Sequence, residues 1–154
     1  MKYNSIQDIL NICEETGKPF WRVIMEEDMQ ESAMSETSSF EKMREMYRAM
    51  ADADSNYDAG LKSESRMTGG DGQKLHEYNE TGRNLCGDFV GLAMEKAIKM
   101  GESNACMRRI VAAPTAGACG VIPAVLLSYQ ELYHAEEDRM VEAMFTAAGI
   151  GNVI

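Results

Sequence analysis

Arg109-Ile110-Val111-Ala112-Ala113-Pro114-Thr115-Ala116-Gly117-Ala118-Cys119-Gly120-Val121-Ile122-Pro123-Ala124-Val125-Leu126-Leu127 is the stretch on which the fold class turns. It holds the two segments that invite a strand assignment, Ile110–Ala113 and Val121–Leu127. Both are short. The second runs on into helical spacing, with Val125, Leu126 and Tyr129 along the inner side of a helix that Pro123 can start. Between them, Ile110–Gly120 is irregular and uncharged, with Pro114, Gly117 and Gly120. A loop so apolar is expected to pack inside, where its backbone amides need partners. It would display one hydroxyl, Thr115, and one thiol, Cys119, just before a helix begins. Amides at a helix N-terminus favour anions, and the same position favours a thiolate. Cys119 is therefore placed as a metal ligand or nucleophile, with a buried apolar thiol as the alternative.

Outward from this stretch the chain is helical. Ser5 precedes Ile6, Ile9, Leu10 and Cys13, which share one helical face, and Asp8 completes an imperfect capping box. Gly17 suits the stop, and Pro19 suits the first turn of a second helix carrying Phe20, Val23 and Ile24. Trp21 and Phe20 are expected to anchor the first two helices together. Phe40, Met43, Met46, Tyr47 and Met50 mark a third helix to about Ala53. Ser63–Gly82 holds four glycines and little periodicity and reads as a loop. Phe89, Val90, Leu92, Ala93, Ala97 and Ile98 give a fourth helix that Gly101 can end. A last helix begins near Glu136 and carries Met140, Val141, Met144 and Phe145. The expectation is an all-α domain of about six helices with two glycine-containing loops. The final run Ala147–Ile154 is apolar and small, which suggests a piece of a larger helical catalytic domain continuing beyond Ile154, or a subunit whose last residues tuck into a partner.

A chain of 154 residues with 45% hydrophobic content can bury a core, and its formal net charge of −10 excludes nucleic acid as a natural partner. The N-terminal residues Met1–Ile9 lack the apolar core of a secretion signal, and no window reaches the length needed to span a bilayer. A cytoplasmic protein is expected. Cys13, Cys86, Cys106 and Cys119 contain no CxxC pair, which excludes a zinc ribbon, and in the cytosol they are expected to be free. Cys13, Cys86 and Cys106 read as buried structural thiols. His76 reads as a solvated loop residue that could reach a site, and His134 as structural or exposed. The runs Glu26–Asp28 and Glu136–Asp138 read as surface charge.

The run APTAGACGVIPAVLL, Ala113–Leu127, is similar to the signature of the iron–sulfur-dependent L-serine dehydratases. Met67-Thr68-Gly69-Gly70-Asp71-Gly72 resembles that family's threonine–glycine–glycine–aspartate loop. Asn104, within Glu102-Ser103-Asn104-Ala105, resembles the asparagine before the signature, and Ser5–Glu27 resembles the start of free-standing alpha subunits. The resemblance covers the whole chain, and what matches is the N-terminal half of the family's alpha domain.

The resemblance implies a lyase that deaminates L-serine to pyruvate and ammonia, serving amino-acid degradation and gluconeogenesis. It implies a 4Fe–4S cluster with Cys119 as one ligand, and as partners L-serine, a beta subunit or domain, and the C-terminal half of the alpha domain. Thr68, Gly69, Gly70, Asn104 and Thr115 would bind substrate, the glycines by exposing backbone amides to an anion. Each also has a plain reading: a tight turn for Thr68–Gly70, and caps for Asn104 and Thr115. Asp71 would be an outer acceptor or a turn residue. The family's other cluster cysteines and its beta domain have no counterpart here, so the cluster is expected to be incomplete or absent in this chain alone. No general base is identified. A cysteine desulfidase on the same scaffold and a non-catalytic helical module are the alternatives, and homo-oligomerisation stays open.

Overall fold

The computed structural model describes residues 3–113 and 115–154; Pro114 of the central run, and Met1 and Lys2, lie outside the described residues. These form seven helices: α1 (Ile6–Thr16), α2 (Phe20–Ser32), α3 (Glu36–Ser55), α4 (Asp71–Glu80), α5 (Gly87–Ala105), α6 (Val121–Tyr133) and α7 (Glu137–Gly151). A 3-10 turn, Ala116–Ala118, precedes α6, and no strand occurs among the described residues. The all-α expectation is met. No helix among the described residues is long and apolar enough to cross a membrane.

The chain divides into two compact units. One holds the residues up to Tyr47 together with Glu136–Ile154; the other is Arg48–Ala135. In the first, the Ser5 hydroxyl accepts from the Asp8 amide at 3.1 Å, the Asp8 carboxylate accepts from the Asn4 amide at 3.0 Å, and Gly17 ends α1 in the left-handed region. α2 packs on α7. They come so close at Gly149 that a Cβ there would lie 2.4 Å from Ile24 Cδ1. Phe145 stacks on Phe40 with centroids 6.2 Å apart, and Trp21 meets the Phe40 edge at 6.3 Å. Trp21 thus ties α2 to α3. Met140, Val141, Met144 and Phe145 are all buried, as their spacing predicts. Burying each such side chain stabilises by roughly 1.5–3 kcal/mol.

The second unit is organised by α5, which packs on α4 and α6. Residues seven apart on a helix line up, so α5 carries three stripes. Glu95 and Glu102 face α4, where Glu102 accepts from its first amides. Lys96 reaches Asp54 of α3 at 2.7 Å and Glu131 of α6 at 3.0 Å, and Ser103 lies one repeat along. Ala97 and Asn104 face the turn that precedes α6.

Four expectations are corrected here. The loop expected over Ser63–Gly82 gives way at Asp71 to α4, which is why there are seven helices and not six. Gly101 does not end α5, which runs on to Ala105 because Glu102 and Ser103 are buried and engaged. On α6 the inner side is Pro123, Ala124, Leu127 and Ser128, while Val125 and Tyr129 are exposed. Finally, Cys86 is exposed, and Cys13 and Cys106 are half-buried; Cys119 alone is buried.

Candidate functional site

The turn before α6 is built from its first residue. The Thr115 hydroxyl accepts from the Ala118 amide at 3.2 Å and closes the 3-10 turn. Asn104 Nδ2, on the last turn of α5, donates to the Ala116 carbonyl at 3.0 Å. At the other end a Cβ on Gly120 would come within 2.8 Å of the Ala97 carbonyl oxygen, so glycine is what lets the turn lie against α5. The turn is therefore held to the Ala97–Asn104 stripe at two points. Cys119, between them, is 2% exposed.

The rest of the turn is not packed inside. Thr115, Ala116 and Gly117 are exposed, contrary to the expectation of a buried loop. Alanine and glycine carry too little apolar area to force burial, and the Thr115 hydroxyl tolerates water. The expectation of a lowered thiol pKa also fails: burial pushes the Cys119 thiol up, and its own backbone amide offsets this only in part. An enclosed thiolate is poorly solvated, and here that outweighs the hydrogen bond from the backbone amide. Metal-free protein is accordingly expected to lose Cys86 to iodoacetamide at pH 8 well before Cys119, by at least about tenfold in rate. Peptide mass spectrometry reads this directly, and equal rates would mean that the sulfur is open to solvent.

The glycine loop has its own anchors. Ser63 N donates to the Thr68 carbonyl at 2.9 Å, and Thr68 N to the Ser63 hydroxyl at 3.2 Å. Lys62 Nζ donates to the Gly69 carbonyl. Gly69 has φ 131°, and a Cβ there would fall 2.3 Å from the Leu61 carbonyl oxygen, so only glycine fits. Gly70, at φ 83°, leads into α4. The first amides of α4 are occupied: Glu102 accepts from Asp71 N at 2.7 Å, from Gly72 N at 3.1 Å and from the Tyr57 hydroxyl at 2.5 Å. Burial works against the ionised Glu102 carboxyl, but the Tyr57 hydroxyl and the two amides outweigh it and hold the group below the ordinary carboxylate range. Burial and the neighbouring Glu102 push Tyr57 up to about 12. Asp71 itself pairs with Lys74 at 2.7 Å at the exposed start of α4.

The structure thus brings Asn104, Thr115 and Cys119 to one turn. Thr68, Gly69 and Gly70 belong to a loop pinned by Glu102, which points about 200° around α5 from Asn104. The two loops attach to different sides of the same helix end.

Sequence reasoning missed a further cluster. Buried Glu95 accepts from Lys99 at 2.5 Å and from Asn79 at 3.1 Å, and lies 2.9 Å from His76 Nδ1. Burial disfavours its charge, yet Lys99, Asn79 and His76 hold its carboxyl low. These residues line a cavity of about 440 Å³ together with Lys96 and Glu131. His76 is therefore a helix residue oriented by a buried carboxylate, not a solvated loop residue. The available signal was the pair Glu95-Lys96 inside an otherwise apolar run. His134 closes α6 in the left-handed region and is exposed.

Among the described residues no three His, Cys, Asp or Glu side chains gather to hold a metal ion. One buried thiol at a turn does not make a four-iron site. The residues described here do not by themselves fit a complete cluster.

The family model for the serine dehydratase alpha chain matches residues 15–154. The L-serine dehydratase alpha chain of Peptoniphilus asaccharolyticus is 33% identical over 152 residues, covering 98% of this chain and 52% of that one. A Bacillus subtilis protein named "Probable L-serine dehydratase, alpha chain" is 29% identical, over 99% of this chain and 51% of that one. The L-serine dehydratase of Streptomyces coelicolor is 33% identical over 151 residues, which is 94% of this chain and 32% of that one. This chain spans about half the length of the first two relatives or less of the third, and no solved structure matches it. With its glycine loop, its Asn104-anchored turn and Cys119 all inside the matched region, the chain belongs to the serine dehydratase alpha chain family.

Proposed function

We propose that this chain is the Cys119-bearing half of the alpha domain of an iron–sulfur-dependent L-serine dehydratase, working in the cytoplasm in amino-acid degradation and gluconeogenesis. The reaction eliminates water from L-serine to give aminoacrylate, which takes up water to yield pyruvate and ammonia. The observation that carries this reading is the double fixing of the Thr115–Gly120 turn on α5, by the Asn104 side chain and by the Gly120 approach to Ala97, with the one buried thiol of the chain beneath it.

Cys119 would supply one ligand to the 4Fe–4S cluster, the others coming from outside the described residues. Asn104 spends an amide proton on the Ala116 carbonyl, which leaves its side-chain oxygen as an acceptor for a substrate ammonium. Thr115 accepts from the Ala118 amide, which leaves its hydroxyl proton to donate to a carboxylate. At the glycine loop, Glu102 already holds the amides of Asp71 and Gly72. A substrate carboxylate there would rely on the Thr68 hydroxyl and the amides of Gly69 and Gly70. The partners of this reading are L-serine, a beta subunit or domain and the remaining half of the alpha fold. The names of the relatives do not favour the desulfidase alternative.

The test is pyruvate formation by the assembled, anaerobically reconstituted protein offered L-serine and L-cysteine. Pyruvate from serine is expected, and Asn104→Ala should lower kcat/KM roughly 10- to 100-fold, the usual cost of losing a group that orients a metal site. Absence of pyruvate from serine, or an Asn104→Ala enzyme as active as the wild type, would overturn the reading.

A further inference from the structure

α6 is apolar on nearly every side: its sequence is VIPAVLLSYQELY, with Glu131 as its one charged residue. A helix of that kind is found inside a larger core, not on a surface. Here one side, formed by Pro123, Ala124, Leu127 and Ser128, is buried. The opposite side is open. Val121 is 59% exposed, Val125 47%, Tyr129 46% and Tyr133 61%. At 100° per residue these four fall within an arc of about 120° that contains no charged residue.

The open face continues onto α5. Val90, Met94 and Ala97 lie at i, i+4 and i+7, and Ala97 meets Gly120 at the start of α6. Phe89 meets Tyr133 at 6.4 Å at the other end, so the two helices run side by side in opposite directions. Val90 and Met94, each nearly half exposed, add apolar side chains on the neighbouring helix. Exposed apolar side chains gathered along one helix face mark an interaction site.

Two observations say what covers it. The relatives' alpha chains match this chain over 98–99% of its length with only 51–52% of their own, so their fold places about as many residues again. The face also begins at Val121, two residues after Cys119, where no group of three or more His, Cys, Asp or Glu side chains gathers to hold a metal ion among the described residues. We propose that the Val121–Tyr133 face of α6, with Val90 and Met94, seats the counterpart of the other half of the alpha-chain fold, as a helical segment with an apolar side. This rests on the lyase reading above. The seated half completes the surroundings of Cys119 from the N-terminal end of α6.

The test uses the assembled lyase. Tyr129 and Tyr133 are expected to resist tetranitromethane there, while Tyr78, as exposed as Tyr129 in this chain, is nitrated. Val125→Glu with Tyr129→Glu should weaken association of the two halves at least about tenfold on native mass spectrometry, since each carboxylate would be buried unpaired. Tyr129→Ser serves as a milder second variant. Nitration of Tyr129 and Tyr133 at the rate of Tyr78, or unchanged association of the double variant, would overturn the proposal. So would cross-linking of Val125→Cys between two copies of this chain. A failed lyase reading would show as missing turnover in a protein that still assembles; a failed docking face would show as labelled tyrosines in an active one.

Discussion

Glu102→Ala is expected to destabilise the Arg48–Ala135 unit by about 2–3 kcal/mol at pH 7. The substitution removes one acceptor group that serves three donors: the amides of Asp71 and Gly72 and the Tyr57 hydroxyl. A buried donor left without a partner costs roughly 1–3 kcal/mol; the Gly72 amide is buried, whereas the Asp71 amide and the Tyr57 hydroxyl are partly open to water and lose less. Glu102→Gln keeps one oxygen but turns an amide group against donors, so it should fall in between. The pH dependence follows from the direction of the shift. The Glu102 carboxyl titrates lower in the folded protein than in the unfolded chain. Its contribution is therefore fully present above the ordinary carboxylate range and is lost as pH falls through the folded value. Urea unfolding of wild type and Glu102→Ala at pH 7 and across the acid range checks both points. The gap should be widest at neutral pH and close in acid. A gap below about 1 kcal/mol at pH 7 would show that α4 does not depend on this cap.

The same residue explains why α4 escaped detection in the sequence. A helix start is legible when a nearby side chain caps it, as Ser5 does for α1. α4 instead starts from Gly70 at positive φ and takes its cap from Glu102, about thirty residues away, which no local pattern encodes. α6 was legible as a helix, but its inner side was not. Val125 and Tyr129 are as apolar as Ala124 and Leu127, so periodicity gave no contrast between faces. By contrast α7 alternates charge with Met140, Val141, Met144 and Phe145, and its buried face was readable. At the candidate site, Thr115 and Cys119 stood out in the sequence because glycine and small residues cluster around them, and Asn104 through the family resemblance; that the three meet at one turn was not legible. The cluster of His76, Glu95 and Lys99 was not, since it joins two helices through buried charge that a hydrophobic pattern treats as an interruption.

Glycines at 69 and 120 carry the part of the fold that is purely steric. One faces the Leu61 carbonyl and the other the Ala97 carbonyl, at distances that exclude any side chain. The second of these sets where Cys119 sits relative to α5, and so links local sequence to the chemistry proposed for the thiol.

Cys119→Ala tests that chemistry most directly. Alanine is close in size to cysteine, and the exchange removes one sulfur from a buried position, so the fold should survive with a loss of about 1 kcal/mol. The measurement is iron and sulfide bound per alpha chain, with pyruvate formed from L-serine, after anaerobic reconstitution of the assembled lyase. The wild type, Cys86→Ser and Cys106→Ser are expected to bind iron and turn over alike, whereas Cys119→Ala should lose the cluster and at least about 100-fold in turnover, more than the loss of an orienting group alone. A folded Cys119→Ala protein that holds wild-type iron and makes pyruvate at the wild-type rate would contradict the account.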